Sequence, residues 1–111
     1  MPRVGEVVLV PFPYSDRLAE KRRPALIVAR PKVGAGPDLF WLAMITSAKH
    51  SSWIGDISIA GEAEAGLSMP CVVRSAKIVS LERVRIVRTI GTVSPAILKA
   101  VRAKIRRELE A

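Results

Sequence analysis

The chain has one cysteine and one histidine, and it has no glycine-rich phosphate loop. Each shortage removes a class of chemistry. A lone thiol, Cys71, cannot form an intramolecular disulfide, and its neighbours Val72 and Val73 fit a buried, reduced side chain better than a reactive one. One His and one Cys cannot furnish a zinc site, no paired acidic spacing suggests Mg²⁺ ligation, and no Walker-type lysine motif offers a nucleotide cradle. Neither a metal nor a nucleotide cofactor is expected. His50, in the polar stretch Lys49-His50-Ser51-Ser52, reads as a solvated loop residue more readily than as a proton shuttle. Long hydrophobic runs are missing as well: the longest, Leu39 to Ile45, is far too short to span a bilayer. The N-terminus, with Pro2, Arg3 and Glu6, lacks a secretory pattern, so the expectation is a cytoplasmic protein without a membrane partner.

What is present fits one domain over 1–111, with half of its residues apolar and one modest core. Eighteen Lys and Arg against ten Asp and Glu give a formal charge of +8, which points to a polyanionic partner, nucleic acid or an acidic protein.

Along the chain the pattern is mostly β, closed by one helix. Glu6 to Val10 is β-branched and apolar, and Pro11 and Pro13 should end it. Tyr14 to Arg22 has no periodicity and reads as a loop before the strand Arg22-Arg23-Pro24-Ala25-Leu26-Ile27-Val28-Ala29. Pro31 to Asp38 is turn-rich and leads to a third strand, Leu39 to Ser47, with Trp41 expected in the core. Gly55 to Ile59 alternates as a short edge strand, and Glu62 to Ala65 has room for one helical turn stopped by Gly66. Val72 to Leu81 and Val84 to Ile90 read as a hairpin joined at Glu82-Arg83. At the C-terminus Ser94 can cap a helix that opens with Pro95, and Ile97, Leu98, Val101, Ile105 and Leu109 recur on one face. Lys99, Arg102, Arg106 and Arg107 then fall on the solvated side or near the end.

Two strands carry polar groups at their tips. Arg22 and Arg23 precede a proline, and Thr46 and Ser47 end an apolar run. Arginine forks match phosphate oxygens, so convergence of these tips would suit a phosphate. If the polyanion is an RNA strand, cleaving it without a metal would need attack by the ribose 2′-hydroxyl, a proton acceptor and donor, and cations for the phosphorane charge. Arg23 suits the last task, and Thr46 suits orienting the phosphate or the 2′-hydroxyl. Arg74 is a second candidate clamp or acid, or else a structural surface arginine. Asp16 and Glu20, in the loop before Arg23, are conceivable bases, although loop acids are usually only solvated. Trp53, in a polar loop, could stack on a base or pack over an edge of the barrel.

Six segments in order, Gly5 to Pro13, Lys21 to Val28, Ala43 to Ser47, Gly66-Leu67, Val72 to Arg74 with Lys77-Ile78, and Ile90-Gly91 before Ser94-Pro95, resemble the successive motifs of the PemK/MazF toxin family. The resemblance covers nearly the whole chain. It implies a mainly β fold, an SH3-like small barrel with a C-terminal amphipathic helix. It also implies a homodimer and a sequence-specific, metal-independent endoribonuclease acting on single-stranded RNA, neutralised by a cognate acidic antitoxin. By the same resemblance Arg23 and Thr46 are catalytic, with Arg22, Ser47 and Arg74 supporting RNA binding. Some members carry an aspartate two residues after the Val-Val-Arg arginine, where this chain has Ala76, so the general base stays open. Regular alternation would set positions 74 and 76 on one face of their strand. An inactive RNA-binding barrel, and a gyrase-binding toxin of the CcdB kind, are the alternative readings.

Overall fold

A computed structural model describes residues 1–12 and 21–111. Of the loop expected over Tyr14 to Arg22, the part up to Glu20, with the candidate bases Asp16 and Glu20, lies outside the described residues, whereas Lys21 and Arg22 already belong to a strand. The elements run β1 (Glu6–Phe12), β2 (Lys21–Ala29), β3 (Leu39–Ser47), β4 (Asp56–Ser58), β5 (Cys71–Glu82), a 3-10 turn (Arg83–Arg85), β6 (Arg88–Thr92) and α1 (Pro95–Glu110). The strands form one six-stranded sheet in the order β4-β5-β3-β2-β1-β6, antiparallel at every pairing.

Alternation along the strands divides the apolar residues between two faces. On one, Val7, Leu26, Val28, Ala43, Ile45 and Val73 pack with Ile97 and Val101 of α1. On the other, Val8, Val10, Ala25, Ile27, Phe40, Leu42 and Met44 form a second cluster. The helix starts as its sequence dictates: Ser94 Oγ accepts the Ile97 N–H at 3.2 Å, and Pro95 stands in the first turn, where no N–H is missed. Leu109, expected on the packed face, is exposed in the last turn.

Three further expectations need correction. Strand β1 runs through Pro11 to Phe12 instead of ending at Val10. The Leu9 carbonyl accepts from Val87 on the β6 side, and Pro11, two residues on, presents its missing N–H to that same side, past the last β1–β6 pair at Leu9. A proline there breaks no ladder bond. The chain after β5 does not form a hairpin. The 3-10 turn carries it off β5, and β6 pairs with β1 instead, Glu6 opposite Thr92 and Leu9 opposite Arg88. Trp41 keeps 41% of its surface exposed, because alternation that buries Phe40 and Leu42 on one face turns Trp41 to the other, beside Arg102, Ile105 and Leu109 of the helix's outer half.

The two ends of the sheet are tied by a turn and not by strand pairing. After β4, residues 61–66 make one helical turn, Ala65 N–H donating to the Gly61 carbonyl, and the Thr92 N–H of β6 donates to the Glu64 carbonyl at 2.8 Å. Gly66, at φ +75°, and Gly91 let the backbones touch: a Cβ on the first would collide with the Ile90 carbonyl, and one on the second with the Ala65 backbone.

Candidate functional site

A proline opens the seam at which the candidate residues stand. Leu9 opposes Pro24, and since Leu9 directs its carbonyl to β6, Pro24 directs its nitrogen toward β3. That nitrogen has no hydrogen to give. The β2–β3 pairing accordingly ends at Ala25 opposite Met44, one residue short of Pro24. Beyond it lie Arg23 on β2 and Thr46 on β3, each two residues past the last pair and both half-buried.

Alternation sorts the candidates by face. Arg23 shares its face with Ala25 and Ile27, Thr46 with Leu42 and Met44, and Arg74, directly opposite Met44, lies on that same face. The structure thus brings Arg23, Thr46 and Arg74 to one end and one face of the sheet, from three adjacent strands. Arg22 and Ser47 fall on the opposite face. Arg22 is exposed, and Ser47 Oγ accepts the Lys49 N–H at 3.2 Å, which shapes the turn after β3. His50 is exposed in that turn.

Arg74 is not a surface residue: only 8% of it is accessible. Its Nε donates to Asp56 Oδ1 at 3.2 Å and its Nη2 to Asp56 Oδ2 at 3.0 Å, a two-pronged pair, and Nη2 also donates to the Ser51 carbonyl at 2.7 Å. The guanidinium lies 4.1 Å from the centre of the Trp53 ring. Asp56 faces Arg74 directly across β4 and β5, and it also accepts the Trp53 N–H at 3.0 Å. Burial works to raise the Asp56 pKa, but the hydrogen bonds from Arg74 and the Trp53 N–H, with the charge of Arg74, outweigh it and hold the carboxyl below its ordinary value. Asp56 is the residue sequence reasoning missed. Its signal was an aspartate inside an edge strand, a place the residue avoids unless something there needs its charge.

Ala76 does not share a face with Arg74. Between Ala43 opposite Ile78 and Met44 opposite Arg74, β5 carries three extra residues, Ser75, Ala76 and Lys77. This bulge breaks the alternation, and Ala76 is exposed beside Gly55, Lys104 and Arg107. Cys71 is buried in the helix-side core, where burial and then the nearby Glu62 charge push its thiol pKa up, as suits an inert cysteine. Among the described residues no group of three His, Cys, Asp or Glu side chains is placed to hold a metal ion, and no helix is long and apolar enough to cross a membrane.

Residues 3–109 match the model of the PemK-like, MazF-like toxins of type II toxin–antitoxin systems. The chain belongs to this family. Solved structures in the same fold include the Mycobacterium tuberculosis toxin MazF-mt6, at 20% identity, with a TM-score of 0.71 over 95% of this chain and 96% of that one. The Deinococcus radiodurans MazF superposes at a TM-score of 0.73 with 21% identity, covering 99% of this chain and 97% of its own. A mycobacterial endoribonuclease in complex with its cognate antitoxin gives 0.74 at 15% identity, over 99% and 96%. No curated protein matches by sequence. The mainly β class with a C-terminal helix is that of the MazF fold, and in this PemK/MazF-family chain Arg23 and Thr46 stand just past the last β2–β3 pair.

Proposed function

We propose that this toxin-family chain is a metal-independent endoribonuclease that cuts single-stranded RNA at short sequences. The observation that carries the reading is the meeting of Arg23, Thr46 and Arg74 on one face at the unpaired end of the β2–β3 seam. A phosphodiester lying across that seam would meet a guanidinium from β2 and a hydroxyl from β3. The ribose 2′-hydroxyl gives its proton to a solvent or side-chain base as its oxygen attacks phosphorus, the O2′–P bond forms, and the P–O5′ bond breaks as the 5′-oxygen takes up a proton, leaving a 2′,3′-cyclic phosphate and a 5′-hydroxyl. Arg23 stabilises the extra negative charge of the phosphorane, and Thr46 hydrogen-bonds the phosphate or orients the 2′-hydroxyl. Arg74, held by Asp56, supports the positive field from the β5 side. Asp56 has its oxygens committed and its proton affinity lowered, so it fits holding Arg74 and not taking a proton. Arg22 and Ser47, on the other face, fit peripheral strand contacts.

The partner reading follows from charge and kinship. A chain at +8 in a toxin–antitoxin family is suited to a cognate acidic antitoxin that covers the Arg23 region, and to acting as a homodimer in the cytoplasm. Affinity for the antitoxin should fall as salt rises, and sedimentation at micromolar concentration should show a dimer. The deciding experiment is incubation of the purified chain with a long single-stranded RNA in EDTA, with the product ends identified. Cyclic-phosphate ends support the reading; strict Mg²⁺ dependence, or equal cleavage of an all-deoxy substrate, overturns it.

A further inference from the structure

We propose that Trp53 is a preordered platform on which a nucleobase next to the scissile phosphate stacks; the inference rests on the ribonuclease reading and names a recognition site within it. The ring is fixed from behind and open in front. Behind it, the Arg74 guanidinium lies 4.1 Å from the ring centre, and Arg74 is itself held by two hydrogen bonds to Asp56 and one to the Ser51 carbonyl. The Trp53 backbone is tied twice to Asp56: its N–H donates to Oδ2 at 3.0 Å, and its carbonyl accepts the Asp56 N–H at 3.1 Å. Yet Trp53 keeps 45% of its surface exposed.

Such an arrangement suits a stacking partner for two physical reasons. A ring already immobilised loses little conformational freedom when a second plane settles on it. A cation on its inner face also draws π-density inward, which leaves the outer face better matched to an electron-rich ring than to a second cation. The location favours RNA. Arg74 occupies the cross-strand position beside Met44, and Thr46 lies two residues further along β3 on the same face, so the diagonal between the two backbones is about 7–8 Å. A strand whose phosphate rests at Arg23 and Thr46 passes the indole within a nucleotide or two. Stacking on a single aromatic contributes roughly a 5- to 150-fold gain in affinity.

The test uses a Trp41→Phe protein, in which Trp53 is the remaining tryptophan, and a single-stranded 2′-deoxy oligonucleotide, which binds but lacks the attacking hydroxyl. Saturating oligonucleotide should quench the tryptophan fluorescence. Trp53→Ala should weaken binding about tenfold, and Trp53→Phe should restore part of it. Removing the base at one position of the oligonucleotide should weaken binding to the wild type and have little effect on Trp53→Ala, a non-additivity that a merely structural tryptophan would not produce. RNA cleavage by the wild type with unchanged fluorescence on oligonucleotide binding, or additive losses at every abasic position, would overturn the platform and leave the nuclease reading intact. Quenching by a poly-glutamate peptide but not by the oligonucleotide would assign the ring to a protein partner and overturn it too. Failure of the wild type both to bind oligonucleotide and to cut RNA would overturn the two together.

Discussion

Asp56→Ala should cost the fold about 3 kcal/mol, the lower part of the range for removing one partner of a buried ion pair, because the Arg74 and Asp56 side chains keep 10% and 9% of their surface accessible. The loss arises mainly from the guanidinium left behind. Two of its hydrogen bonds go to the missing carboxylate, and a charge buried to this depth has little water to turn to. For a domain of this size the melting temperature should fall by roughly 12 °C, and the urea midpoint by about 2 M at a slope near 1.5 kcal/mol per M. Arg74→Met alone should also destabilise. The double variant should then cost at least about 1.5 kcal/mol less than the sum, since removing both charges removes the orphan. The pair also sets an acid dependence. The folded Asp56 pKa lies below its unfolded value, so its contribution is complete above about pH 4 and drains away as the pH falls through the folded pKa; Asp56→Asn should lack that part of the acid slope. Additive single and double losses, or single losses under about 1 kcal/mol as for a surface pair, would refute the argument.

Arg23→Ala should lower RNA cleavage by on the order of 10²-fold with an unchanged circular dichroism spectrum, and Arg23→Lys should recover only part, since an ammonium lacks the planar fork; wild-type activity in Arg23→Ala would move the site elsewhere. Thr46→Ala should lose rate without losing stability beyond about 1 kcal/mol, checked by a melt on the same sample. Gly91→Ala, with a methyl driven into the Ala65 backbone, should destabilise by about 3 kcal/mol or more, and a melting temperature within a few degrees of wild type would show that the turn at 61–66 can move aside. Ala76→Asp, at an exposed position in the bulge beside Lys104 and Arg107, should leave the melting temperature nearly unchanged and give no gain in cleavage; a faster enzyme would put position 76 back beside the scissile phosphate.

The strands and the helix were largely legible because each wrote its own period: the apolar runs of β2 and β3 have strand length, and Ser94-Pro95 marks a helix start in any context. The partner of each strand was not. Nothing local in Arg88 to Thr92 says that it lies beside β1 instead of β5, because that choice depends on where the 3-10 turn points the chain. Trp41 misled for a related reason: apolar neighbours on both sides argue for burial, but in a strand they occupy the opposite face. At the site, Arg23, Thr46 and Arg74 were recognisable as chemistry, and Pro24 in hindsight explains why the seam beside them opens. The pairing of Arg74 with Asp56 spans 18 residues, and the bulge that separates Arg74 from Ala76 is a tertiary property that alternation alone does not encode.

The place of β1 bears on how a ribosome can make such a chain. Synthesised first, β1 is bordered in the finished sheet by β2 on one side and by β6 on the other, and Glu6 waits for Thr92. The clamp between residues 61–66 and β6 closes equally late, and α1 covers the helix-side core only after both. Until residue 92 has left the exit tunnel β1 has an unpaired flank, and until residue 101 has followed, that core lacks Val101. Contacts so distant in sequence make folding wait for β6 and α1 and delay it further through slow loop closure. The seam that holds Arg23 and Thr46 therefore acquires its rigid setting only once those late segments have docked. Stalling synthesis before residue 88 and probing the nascent chain with protease would show an open, digestible β1 if this order holds, and a protected one if it does not.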